Sequence, residues 1–295
     1  MYHLCWSPSS PEVAVPGSVA LEGDDGCNDS SELRILEATP REGIMGFYEH
    51  RFSFAGKKVR DYKGGALSEP DKFAFRVREE YEAEKKFFET FNELLEQEGA
   101  PELTALVIGM WDEEQFDVGS ERIVEALVTA KDRLKNLKAI FLGDIVGEEC
   151  EVSWIHQSDL SPIFNAYPDL EVFAVRGSED LSFGHLSHAN LKQLTVQSGG
   201  LDVGIVRDIL GSDLPNLEHL ELYLGTENYG ANTAPDDLAP LLRGELFPKL
   251  TYLGLKDSEI ANEIAAVAAN APILERLQVL DLSSAHSRTK VRGHS

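Results

Sequence analysis

The sequence is short of cysteine and of positive charge. Only three cysteines occur in 295 residues, Cys5, Cys27 and Cys150. Three cannot all pair within one chain, and no two stand at a CxxC spacing, so neither a disulfide framework nor a thiolate metal site is encoded. That usage favours a reducing compartment. Lysine and arginine total 27 against 51 aspartates and glutamates, a formal net charge of −24. Such a surface repels phosphate backbones and anionic headgroups, which argues against general nucleic-acid or membrane binding. The charge reads first as a solubility device and second as an attraction for a basic partner.

Other absences narrow the field further. The chain does not open with a basic stretch followed by an apolar one, so no signal peptide is read. No apolar run approaches the ~20 residues of a membrane-spanning helix, and a cytoplasmic protein is the expectation. There is no GxGxxG opening a helix, no GxxxxGK[ST] and no GxSxG, so nucleotide binding and nucleophile-elbow chemistry lack motif support. No cofactor is expected.

What is present is enough apolar content, 42%, to build a core. Residues 1–45, with "SPSSPEVAVPG" and "EGDDGCNDSSE", read as a disordered extension. Residues 46–102 read as a small α/β portion. "FYEHRFSF" and "FAFRVR" alternate like strands, with Phe73, Phe75 and Val77 on one face. "EEYEAEKKFFETFNELLEQE" reads as a helix with Tyr81, Phe88, Phe91 and Leu95 along one stripe.

From residue 103 a repeat takes over. The pattern L-x-x-L-x-L is filled by Leu103, Leu106, Ile108; Leu137, Ile140, Leu142; Leu170, Phe173, Val175; Leu191, Leu194, Val196; Leu217, Leu220, Leu222; Leu250, Leu253, Leu255; and Leu277, Leu280, Leu282. Successive starts lie 34, 33, 21, 26, 33 and 27 residues apart. In a strand, alternate side chains share a face, so parallel stacking of these strands makes one apolar wall that the intervening helix-like linkers cover. Ser120, Ser158 and Ser258 stand where helix N-caps are expected.

The pattern resembles the leucine-rich repeat family, with long repeats of the ribonuclease-inhibitor-like class. More narrowly, "ELTALVIGMWDE", "GDIVGEECEVSWIHQSDLSPIF" and "LEHLELYLGTENYG" are similar to an uncharacterised family of bacterial cytoplasmic leucine-rich-repeat proteins, in which an N-terminal segment also precedes the repeats. The resemblance implies an α/β solenoid over 103–285, with parallel strands on a concave face and helices on the convex face, and an irregular tail over 286–295. The sequence departs from the family where an Asn or Cys usually follows the last leucine. Trp111, Ile145, Ser178, Gly199, Gly225, Ser258 and Ala285 stand there. It also ends on a strand with no capping repeat, as though truncated.

The residues between the leucines point to the concave face. Phe141, Arg176, Gln197, Glu221, Tyr223 and Lys256 form a mixed strip suited to a protein partner, against the plainer reading of a solvated sheet face. Trp154, His156, Gln157 and Tyr229 are loop residues placed to add contacts. "CEVSWIHQSD" puts Cys150 near His156 in sequence, but nucleophilic catalysis needs them paired in space, so a structural or contact loop is the better reading. His185 and His188 lack a third ligand, and "WDEEQFD" lacks the alternation of a calcium loop; no metal site is expected. The sequence therefore reads as a non-catalytic protein-binding scaffold whose partner and oligomeric state it does not specify. The alternatives are an enzyme with a site in the 143–159 loop or the N-terminal portion, and a structural assembly subunit.

Overall fold

Eleven strands of the described residues form a single sheet: β1 (Arg34–Leu36), β2 (Ser53–Phe54), β3 (Lys57–Asp61), β4 (Phe73–Val77), β5 (Ala105–Ile108), β6 (Ala139–Leu142), β7 (Val172–Arg176), β8 (Gln193–Gln197), β9 (His219–Gly225), β10 (Tyr252–Ser258) and β11 (Val279–Asp281). The computed structural model describes residues 33–36, 48–113 and 117–283. The sheet order is β1-β11-β10-β9-β8-β7-β6-β5-β4-β3-β2. Every neighbouring pair is parallel except β2 with β3. The fold is thus α/β with a mostly parallel sheet, and each of the seven leucine motifs supplies one strand.

Register explains why the motif works. Leu106, Ile140, Phe173, Leu194, Leu220, Leu253 and Leu280 lie side by side across seven strands, and all are buried. Helices α1 (Phe87–Glu96), α2 (Glu121–Thr129), α3 (Ser161–Ala166), α4 (Val203–Leu210), α5 (Ala239–Leu242) and α6 (Ala261–Ala268) cover this row. Their inward residues, such as Ile123, Leu127, Val206, Ile209 and Ile264, join the strand leucines in one core. Each fully buried aliphatic side chain contributes about 1.5–3 kcal/mol, so this layer dominates the stability. The 21-residue step between Leu170 and Leu191 leaves β7 and β8 joined by residues 177–192 without a helix.

Polar ladders do exist, but at the start of the motif, before its first leucine, rather than after its last. Asn136, Asn190 and Asn216 each precede a motif leucine, and their side chains donate to the carbonyls of Pro101, Pro168 and Ala189 one coil back, at 2.7, 3.0 and 2.6 Å. At the other strand ends glycine allows close stacking. A Cβ on Gly225, whose φ is +74°, would stand 1.9 Å from the Gly199 carbonyl oxygen.

Several expectations need correction. Arg34–Leu36, read as unstructured, pair as β1 with β11, so that edge carries a further strand rather than ending bare. Residues 1–32 and 284–295, including Cys5, Cys27 and the irregular tail, lie outside the described residues. The helix read over 79–98 spans only Phe87–Glu96. Glu79 instead accepts hydrogen bonds from the Phe87 N–H and from Lys86 Nζ, and Tyr81 is exposed. The buried stripe is Phe87, Thr90, Phe91 and Leu94. Ser158 does not cap a helix. Its Oγ meets Ser120 Oγ at 2.9 Å, and Asp159 receives the Ser161 N–H instead.

Candidate functional site

The strand residues between the leucines face away from the helices, and part of that face is covered by the chain itself. Residues 48–54 cross it as an irregular strap that ends in β2. Phe54 sets its ring on Phe141 of β6, with centroids 5.8 Å apart, within a small apolar cluster of Ala74, Val107 and Ala174. The backbone N–H of Arg51 donates to both carboxylate oxygens of Asp144, at 3.3 and 3.2 Å. Arg76 NH1 of β4 donates to the Arg51 carbonyl at 3.4 Å. His50 donates from Nδ1 to the Asp144 carbonyl at 3.0 Å, and its Nε2 lies 3.3 Å from Glu149.

Asp144 lies two residues past the end of β6, after Gly143, and its side chain is 0% exposed. Buried charge must be paired, and here two guanidiniums do it. Arg76 NH1 stands 2.9 Å away and Arg176 NH1 3.7 Å away. Arg76 also binds Asp61 at 2.6 Å, and Arg176 binds the Ile145 carbonyl and Gln197 at 2.6 and 2.9 Å. Burial pushes the Asp144 carboxyl up, but His50, Arg176 and Arg76 outweigh it and hold it below the usual range. Burial pulls Arg176 down to about 10, leaving it charged at neutral pH.

His50 is the titrating member of the strap. Burial would lower its pKa, yet the hydrogen bonds and charges of Asp144 and Glu149 raise it from 6.5 to about 9. A raised histidine pKa stabilises the fold fully below 6.5 and loses that contribution as pH rises through 9. The urea-midpoint difference between the parent and His50→Ala is therefore expected to be largest below pH 6.5 and to shrink as pH rises through about 9, to what the neutral ring's hydrogen bond to the Asp144 carbonyl contributes. A difference independent of pH would contradict the assignment.

Beside the strap lies an open cleft of about 490 Å³, floored by Ala174, Thr195, Glu221 and Tyr223 and bounded by Lys256 and strap residues. The small residues on β7 and β8 hollow out the floor. Its far side holds a fixed polar group. Tyr252 stacks on His219, with ring centroids 3.9 Å apart, and donates its one hydroxyl proton to Asp281 at 2.8 Å, with Glu221 3.3 Å from the same oxygen. Lys256 Nζ stands 3.4 Å from Asp281 and 4.0 Å from Glu221. Burial opposes the Glu221 charge, but the His219 hydrogen bond and the charges of Lys256 and His219 bring its pKa down to about 2. Burial likewise opposes the Lys256 charge, and Glu221, Tyr223 and Asp281 raise its pKa nonetheless.

The strip named from sequence thus occupies the expected face but not the expected exposure. Phe141, Arg176 and Gln197 are buried beneath or beside the strap rather than open to solvent; Arg176 is 0% exposed. Glu221 and Tyr223 are nearly buried in the cleft floor, and Lys256 is half-buried beside them. Of the loop residues, Trp154 and Tyr229 are exposed, at 64% and 51%, whereas Gln157 is buried and donates to the Arg176 carbonyl at 2.7 Å. His156 pairs with Asp180 at 3.0 Å. Cys150 turns its thiol to the Glu151 carbonyl, and burial with Glu151 and Glu149 pushes its pKa up. His188 is buried against the Tyr167 carbonyl. Among the described residues no group of three or more His, Cys, Asp or Glu side chains is placed to hold a metal ion. No helix among them is long and apolar enough to cross a membrane. The site residues that sequence reasoning missed are Asp144, Arg76 and His50. The one signal for them was a lone aspartate two residues after a strand motif, in "FLGDIV".

No protein-family model matches the chain, and no curated protein matches it. A crystal structure of a Bacteroides fragilis protein, a target of the Northeast Structural Genomics Consortium, is similar, with a TM-score of 0.65 and 36% sequence identity. The match covers 70% of this chain and 58% of that one, so the chain spans little more than half the length of this neighbour.

Proposed function

We propose that this protein is a leucine-rich-repeat solenoid of the cytoplasm acting as a non-catalytic module for binding another protein. Recognition falls on the concave face, in the cleft over β7–β10 beside the strap. The observation that carries this reading is the cleft of about 490 Å³, hollowed over Ala174 and Thr195 and edged by the fixed Glu221 and Lys256 charges. Its size falls within the ~300–1,000 Å³ of ligand sites, and curved repeat surfaces serve widely for binding.

The chemistry of the lining supports binding over catalysis. General acids and bases work best with a pKa near the operating pH. Glu221, at about 2, is a poor base, and the raised Lys256 keeps its proton. The Cys150 thiol, pushed up by burial, is a poor nucleophile. The experiment is affinity capture from native extract with the parent and with Thr195→Trp, which fills the cleft from its floor. A protein retained by the parent and lost by the folded variant is the expected result; identical captures would count against the reading.

A further inference from the structure

Both backbone polar groups of a single strap residue are gripped by side chains, one from the loop after β6 and one from β4. The Arg51 N–H meets the Asp144 carboxylate and the Arg51 carbonyl meets the Arg76 guanidinium. A grip on main-chain atoms does not read the side chain of the residue gripped. Four positions away in the chain from His50, which binds Asp144 and Glu149, Phe54 docks on Phe141. These elements make a peptide seat: a backbone clamp, a carboxylate pair for a cation and a ring platform.

We propose that this seat is a peptide-binding site and that the strap, held in cis, is its competitor. The ligand is an extended segment of a partner protein carrying an imidazole or cationic side chain four residues before an aromatic ring. This rests on the reading of the concave face as the recognition surface, and it names the partner's chemistry.

Three features make the strap exchangeable. Its hydrogen bonds at Arg51 are long, 3.2–3.4 Å, and only Ser53 and Phe54 join the sheet ladder. Its outer side chains, Tyr48 and Phe52, stay in solvent. The seat also runs on into the open cleft, which strap residues line together with Gln193, Thr195 and Lys256. A tethered segment competes at an effective concentration on the order of millimolar, and a longer partner segment offsets that advantage through the contacts along the cleft. A net charge of −24 favours a basic segment.

The test uses the full chain and a fluorescent peptide with the sequence of residues 48–55, YEHRFSFA. Binding is read by anisotropy and folding by near-ultraviolet circular dichroism. The double variant His50→Ala, Phe54→Ala weakens the strap in cis and is expected to bind the peptide at least tenfold more tightly than the parent. Adding Phe141→Ala to it is expected to abolish that gain. His50→Gln alone, which leaves Phe54 seated, is the second variant and shifts affinity in the same direction. Folded variants that bind no better than the parent, or binding indifferent to Phe141→Ala, would overturn the proposal. Loss of partner capture by Thr195→Trp despite such a failure would leave the cleft reading intact and remove only the strap seat.

Discussion

Asp144→Ala is expected to lower the unfolding free energy by about 3–5 kcal/mol, the usual cost of removing one partner from a buried ion pair. The size follows from what is left behind. Arg176 is fully buried, with the Asp144 carboxylate 3.7 Å away, and Arg76 loses one of the two carboxylates it pairs with. The strap loses the acceptor for the Arg51 N–H at the same time. Arg76 keeps Asp61 at 2.6 Å, and Arg176 NH1 keeps the Ile145 carbonyl at 2.6 Å. These remaining bonds set the expectation nearer the lower figure. Urea unfolding of parent and variant at pH 7 measures it. A loss under ~1 kcal/mol would mean that water already screens the pair, as at exposed salt bridges.

Leu220→Ala is expected to cost about 2–5 kcal/mol, through lost transfer free energy and the cavity left behind. Leu220 is fully buried and lies in register between Leu194 and Leu253. Its neighbours sit on hydrogen-bonded strands of the same sheet, which limits how far they can close the gap. Tyr229→Ala, at an exposed loop position, is expected to change stability by less than ~0.5 kcal/mol. Equal losses for the two would place Leu220 outside the core.

The contrast between these residues shows what the sequence could and could not convey. All seven strands of the leucine motif were legible, because period-two alternation repeated seven times encodes both strand and inner face. The direction of Arg176 and Glu221 was legible for the same reason: they stand between leucines and so face away from the helices. Their burial was not legible. It depends on the strap, a single non-repeating segment whose ladder pairing is two residues long. "FYEHRFSF" reads as strand-like, yet only its alternating end, Ser53 and Phe54, gains strand partners. His50 and Arg51 are instead held by side-chain contacts with Asp144 and Glu149, far along the chain. β1 escaped notice because three residues in a polar stretch carry no periodicity of their own; the exposed edge of β11 makes them a strand. The helix read over 79–98 was too long because Glu79 turns back onto the Phe87 N–H, a tertiary contact that charge composition does not reveal.

The measurement that most directly tests the central claim is the affinity of a captured partner for three forms of the chain. These are the parent, Thr195→Trp in the cleft floor, and Val267→Glu on the exposed side of α6. The account predicts a loss of at least tenfold for Thr195→Trp and an unchanged affinity for Val267→Glu, with both variants folded. Loss of binding confined to Val267→Glu would place recognition on the helices and contradict it.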